Sequence, residues 1–192
     1  DGLISIIHPW ESGIDASPLY DPAWGVQEPS FWQLYPKFIK TLRKYRKRDW
    51  DLKKIFQLSY FNFEDVGVNS VYASGWGMLG ELAENFDTEL ASRCRSRQKA
   101  FEGAILEKCW NDEDEQFLSF YHSKDGEQSS QIETIQSLFP LLLENIPSNV
   151  VNVLVSNLKD PNKFWLPYPV PSVAKTEPAF DPRESRLLWR GP

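Results

Sequence analysis

The chain has 192 residues, 41% hydrophobic and 25% charged, with a formal net charge of −6. That length and apolar content suit one domain with a sizeable core and exclude a disordered chain. The acidic balance argues against a nucleic-acid binder, and no stretch approaches the ~20 apolar residues of a membrane span.

The opening residues, DGLISII, carry neither a basic n-region nor an initiator Met and do not read as a signal peptide. Residues 8–18, HPWESGIDASP, crowd Trp10, Glu11 and Asp15 around Gly13, between two prolines. A first helix is predicted over 31–48, where Phe31, Leu34, Tyr35, Phe38, Ile39, Leu42 and Tyr45 form a 3.6-period stripe with Lys and Arg opposite. Ser30, after Pro29, is its expected N-cap. The basic run 40–49 reads as the solvated face of that helix. A second helix is predicted over about 66–86; it contains Gly75, Gly77 and Gly80, which ask for close packing on a neighbour or a cavity beside the backbone.

A third helix is predicted over about 88–109. Cys94 and Cys109 lie fifteen residues apart on it, roughly 22 Å along the axis, too far to pair with each other. Buried, reduced thiols fit a reducing compartment, and a cytoplasmic location is the expectation. Residues 111–121 read as a turn and a short extended piece, followed by helices of about 131–144 and 148–158, the second capped by Ser148. From 159 to 192 the chain is loop-like, punctuated by Pro161, Pro167, Pro169, Pro171, Pro178 and Pro182 and carrying Phe164, Trp165, Tyr168 and Phe180; so long a loop is usually functional or disordered. The fold class is therefore all-α, built from stacked helical hairpins, either a solenoid or a toroid.

Aromatic residues are unusually abundant, at 8 Trp, 7 Tyr and 12 Phe, and those in the loops offer flat faces suited to sugar rings. Metal binding is not expected, because His8 and His122 are the only histidines and the carboxylate spacing is not that of a Ca²⁺ loop. Neither a nucleophilic triad nor a glycine-rich phosphate loop is present. What remains is carboxylate chemistry. An acid flanked by Trp and Ile can be desolvated and keep a proton near neutral pH, and Gly13 permits a sharp turn beside a ligand. The plainer alternative is that Asp15 or Ser17 caps the next helix while Trp10 fills the core.

The stretch HPWESGIDASPLYD resembles the signature loop of the α/α-toroid glycoside hydrolases that include mannosyl-oligosaccharide glucosidase and the mannosylglycerate and glucosylglycerate hydrolases. Trehalases share its Glu-Ser-Gly-x-Asp core. The resemblance continues through FNFEDVGVNSVYASGWGMLGELAE, LPYPVPSVAKTEPAF and WRGP, in the expected order, over nearly the whole chain. It implies part of an (α/α)6 toroid, residues 1–192 forming a single partial catalytic domain, and an inverting hydrolase of α-linked glucosides or mannosides that needs no cofactor. It further implies Asp15 as the general acid, Trp10 walling the sugar subsite, and Glu11, Ser12 and Gly13 shaping it. Tyr168, Trp189 and Arg190 are expected substrate contacts. Ala16 stands where relatives often carry Asn, which puts one polar contact in doubt.

The resemblance places the catalytic base, a Glu, downstream of Trp-Arg-Gly-Pro. Glu177, Asp181 and Glu184 are the nearest carboxylates, and none matches the base motif. A carbohydrate-binding scaffold without chemistry, or an interaction solenoid, are the competing classes. Convergence of residues 8–18, 164–172 and 189–192 on one concave surface favours the enzyme; scattering favours the solenoid.

Overall fold

A computed structural model describes residues 2–58, 60–183 and 188–191. The periodic segments become helices: α1 (Asp21–Trp24), α2 (Phe31–Arg46), α3 (Leu52–Leu58), α4 (Val66–Ala83), α5 (Thr88–Cys109) and α6 (Ser148–Lys159). In α2 the stripe buries Leu34, Phe38, Thr41 and Tyr45, and Ser30 is the N-cap, its backbone N–H donating to Gln33 Oε1 at 2.8 Å. The α6 cap is Pro147; Ser148 is the first helical residue rather than the cap. The short helix α3 buries Ile55 alone, too little periodicity to announce itself.

The fold is all-α only approximately, because two small sheets accompany the helices. Strands β1 (Phe63–Glu64), β4 (Ser119–Ser123) and β5 (Gly126–Ser130) form an antiparallel sheet ordered β1-β4-β5, while β2 (Trp110–Asn111) and β3 (Gln116–Phe117) form a small hairpin. Phe63 exchanges backbone bonds with Ile6 at 2.8 and 3.0 Å, stitching the start of the chain to the sheet. Residues Ile135–Leu142 form a 3₁₀ helix, shorter than the predicted 131–144 helix. The 3₁₀ helix runs through Pro140, which has no N–H to donate.

Helices α4 and α5 pack as an antiparallel hairpin. A Cβ at Gly77 would come within 2.7 Å of the Gln98 carboxamide, and one at Gly80 within 3.4 Å of Cys94, so these two glycines allow close approach; Gly75 faces open space. One core cluster joins α4 and α5 to the 3₁₀ helix and α6 through Val66, Ile105, Leu138 and Leu154. A second joins the N-terminal loop to α2 and β1 through Leu19, Tyr20, Phe38 and Phe63. Each buried side chain of this size contributes roughly 1.5–3 kcal/mol. Phe164 belongs to the first core, fully buried, and is not a loop platform.

Beyond α6 the described residues form neither helix nor strand, yet they are pinned. Ile135 N–H donates to Ser172 O and Ala174 N–H to Glu133 O, both at 3.0 Å, and Phe164 and Trp165 bond to Asp160 O. Ser130 Oγ donates to Leu19 O at 2.9 Å, tying the end of β5 to the N-terminal loop. No helix among the described residues is long and apolar enough to cross a membrane.

Candidate active site

The loop at 8–13 braces itself. His8 caps a 3₁₀ turn spanning Pro9–Ser12; its Nδ1 accepts from Trp10 N–H at 3.2 Å, which leaves Nε2 to donate to Phe38 O at 3.4 Å. The Glu11 carboxylate accepts from Ile7 N–H at 2.8 Å, and Ser12 Oγ donates to Pro9 O at 2.7 Å while accepting from Ile14 N–H at 3.2 Å. Gly13 closes the turn at φ +78°, the left-handed region that favours glycine. Glu11 and Ser12 are thus spent on loop shape. Burial lowers the pKa of His8 below its ordinary 6.5, opposed by the bond to Phe38 and the charge of Asp15.

Asp15 follows, half-buried, in the wall of a cavity of about 180 Å³ formed with Trp10, Phe31, Leu34, Phe38 and Leu188 among others. Of the described residues lining it, Asp15 alone carries a carboxylate. Trp10 stands edge-on to His8, centroids 4.7 Å apart, and is 46% exposed, so it is not core filler. The cap of the next turn is Ser17, whose Oγ accepts from Leu19 N–H at 3.3 Å, and that leaves Asp15 free of capping work.

Sequence reasoning missed the floor under this loop. Tyr20 O–H donates to Asp65 Oδ2 at 2.5 Å, both groups fully buried, and Asp65 Oδ1 also caps α4 by accepting from Val68 N–H at 3.0 Å. Burial raises both pKa values, and the neighbouring Asp65 charge raises that of Tyr20 further. Both residues lie in quoted motifs, PLYD and FNFED, but their meeting is 45 positions long-range.

The WRGP segment reaches the same region. Leu188 lines the Asp15 cavity, and Trp189 is 41% exposed at φ +67°. Arg190 is 6% exposed and forks onto Asp21, with NH1 donating to Oδ2 at 2.8 Å and NH2 to Oδ1 at 2.7 Å. Its two terminal nitrogens serve Asp21, while the residue also borders the cavity of about 510 Å³ described below. Burial raises the pKa of Asp21, with Arg190 pulling the other way. A Cβ at Gly191 would collide with the Asp181 carbonyl, which is why the motif has glycine there. Ser172, at the end of the second aromatic stretch, donates from N–H at 2.9 Å and Oγ at 2.7 Å to Gly191 O. Tyr168 is 87% exposed and lines none of the cavities described below or above.

Glu177 and Asp181 lie elsewhere. Glu177 lines a cavity of about 630 Å³ with Asp21 and Glu28, and accepts from Glu133 N–H at 2.8 Å; burial raises its pKa. Asp181 borders an adjoining cavity of about 510 Å³ and pairs with Arg183 at 3.0 Å. Glu184 lies outside the described residues, as does Pro192. Away from the site, Glu64, His122 and Glu127 cluster within 4.8 Å, but the Lys108 ammonium sits 2.5 Å from Glu64 and 2.7 Å from Glu127 and supplies the positive charge there. Cys94 and Cys109 are buried and free, and burial pushes the Cys109 thiol up to about 12.

A carboxylate in an aromatic wall, on a braced Glu-Ser-Gly loop above helical hairpins, is the arrangement of an α/α-toroid glycoside hydrolase. The family model of the mannosylglycerate hydrolase MGH1-like glycoside hydrolase domain matches residues 1–192, and the chain belongs to that family. The mannosylglycerate hydrolase of Thermus thermophilus is 26% identical over the full chain, which covers 49% of that protein. The glucosylglycerate hydrolase of Mycolicibacterium hassiacum is 23% identical, with 100% of the chain covering 47% of the relative. The solved GH63 mannosylglycerate hydrolase from Thermus thermophilus in complex with glucose superposes with a TM-score of 0.85 at 23% identity, over the whole chain and 48% of its own. The chain thus spans about half the length of these relatives.

Proposed function

We propose that the protein is an inverting glycoside hydrolase acting on an α-linked mannoside or glucoside, with Asp15 as its general acid. The relatives' names, mannosylglycerate and glucosylglycerate hydrolase, point to a glycoside of glycerate as the first substrate to try. The observation that carries the reading is the placement of Asp15, uncommitted to any cap, in the aromatic-walled cavity behind the self-braced loop.

In this reading the protonated Asp15 gives its proton to the glycosidic oxygen as the C1–O bond breaks. Water adds to C1 from the opposite face and loses its proton to a second carboxylate, roughly 6.5–9.5 Å from the first in inverting enzymes. No second carboxylate lines the Asp15 cavity among the described residues, and the base is proposed to come from a part of the toroid outside them. Trp10 walls the sugar ring, with Trp189 as a further aromatic contact; Glu11, Ser12 and Gly13 fix the loop. No cofactor is required.

The test is to incubate the intact protein with α-mannosylglycerate, α-glucosylglycerate and α-linked disaccharides, and to follow the first anomer released by proton NMR. The β-anomer from an α-linked substrate supports the proposal. The α-anomer means retention, and no release from any substrate favours the binding-scaffold reading.

A further inference from the structure

Arg190 and Asp21 are 169 residues apart in sequence, yet they form a two-pronged, almost fully buried pair at 2.7 and 2.8 Å. Removing one partner of such a pair strands a buried charge, whereas apolar replacements of both are often neutral or better, so stability alone is a weak reason for its presence. Arg190 Nε is also buried and has no acceptor among the described residues, a defect that a purely structural pair would be expected to avoid.

What the pair joins is informative. Asp21 begins α1, six residues after Asp15 and directly after the turn capped by Ser17. Arg190 follows Leu188, which lines the Asp15 cavity, and Trp189, whose φ of +67° is strained for a bulky residue. Such a conformation persists only where the surroundings over-determine it. Here Arg190 O accepts from Asp181 N–H at 2.7 Å, and the next peptide is tied to Ser172 on both sides, Gly191 N–H donating to Ser172 Oγ at 3.2 Å.

We propose that the Arg190–Asp21 pair is a positioning latch, which holds Leu188 in the wall of the Asp15 cavity and fixes Trp189, its neighbour in sequence. Arg190 acts through these neighbours and does not itself touch the sugar. The proposal rests on the glycosidase reading for its consequence in catalysis, but not for its geometry. A fork of two parallel bonds fixes direction as well as distance, and a lysine at the same place keeps the charge while losing the fork.

The experiment uses the intact protein with Arg190→Gln, Asp21→Asn, their combination, and Arg190→Lys, each also made with Trp189→Phe. Acrylamide quenching of Trp189 is read as the difference between each variant and its Trp189→Phe counterpart. The latch predicts quenching raised at least about twofold in Arg190→Lys and in both single variants, with helical circular dichroism unchanged. On an α-glycoside that the wild type cleaves, kcat/KM falls at least about tenfold in each single variant, KM carrying part of the loss, and the combination is no worse than either, as coupled partners require. Unchanged quenching overturns the latch, as do kcat/KM values within twofold of wild type or losses that simply multiply in the combination. If Arg190→Lys fails to fold along with the others, the pair is a folding element and the latch is likewise overturned. A wild type without glycosidase activity sinks the functional reading alone, because the quenching arm still decides the latch.

Discussion

At the residue scale the site is a set of small structural tasks that leave one acid unassigned. Glu11, Ser12, His8 and Ser17 each satisfy backbone groups, and Asp15 does not. His8 offers a pH test. Its folded-state pKa lies below the ordinary 6.5, so the unfolded chain binds its proton more readily. The stability from neutral His8 is therefore fully present above about pH 6.5 and lost as pH falls from there toward the lowered value. The urea midpoint should drop between pH 7.5 and 5.5 by more in the wild type than in His8→Gln. The buried carboxylates Asp21, Asp65 and Glu177, with raised values, act in the opposite direction but equally in both proteins. Equal drops would show that His8 is not held neutral. The sharp turn at Gly13 was legible; the bracing bonds of the loop were not, although all but the His8–Phe38 bond span four residues or fewer. The pairing of Arg190 with Asp21 was not legible, because Asp21 stands 169 positions away and no local pattern announces such a pair.

At the scale of elements, the amphipathic helices were readable from their period, and most ends fell within three residues of the prediction. Of the strands, only the turn and extended piece within 111–121 were read, where β3 and the start of β4 lie; the others were not. β1 is two residues long, and β5, GEQSS, has no β-branched or aromatic residue to mark it; its ladder is fixed by β4, not by propensity. The α4 glycines separate two causes that look alike in sequence. Gly77 is filled from across the hairpin by Gln98, a buried residue that donates to Glu102 at 3.1 Å, whereas nothing lies within 4 Å of a Cβ at Gly75. Gly75→Ala should therefore stabilise by up to ~1 kcal/mol through helix propensity alone. Gly77→Ala should be a net loss, overpacking of about 1–3 kcal/mol outweighing that gain. Paired urea titrations measure both, and a stabilising Gly77→Ala would mean that Gln98 swings aside freely.

At the scale of the whole molecule, the expected convergence of 8–18, 164–172 and 189–192 is met directly by the Ser172–Gly191 tie, and otherwise through flanking residues: Leu188 meets Asp15 in one cavity and Arg190 clasps Asp21. The exceptions are Phe164, which is core, and Tyr168, which points into none of the described cavities. The α4 ridge of Val71, Met78 and Leu82, with Phe86 just beyond the helix, is exposed, and the chain matches about half of its relatives' length. Residues 1–192 expressed by themselves are accordingly expected to release neither glucose nor mannose, because the proposed inverting mechanism needs two carboxylates and, among the described residues, Asp15 alone lines its cavity with one. Turnover that vanishes when Glu177, Asp181 or Glu184 becomes Gln would place the base within these residues instead. The central claim, that Asp15 is the general acid, is tested most directly by Asp15→Asn in the intact protein, assayed on two substrates. One is a natural α-glycoside and the other an aryl glycoside whose leaving group needs little protonation. The predicted result is a fall of roughly 10²- to 10⁴-fold on the natural substrate and a much smaller one on the aryl glycoside, with an unchanged melting temperature. An equal loss on both substrates would contradict the claim.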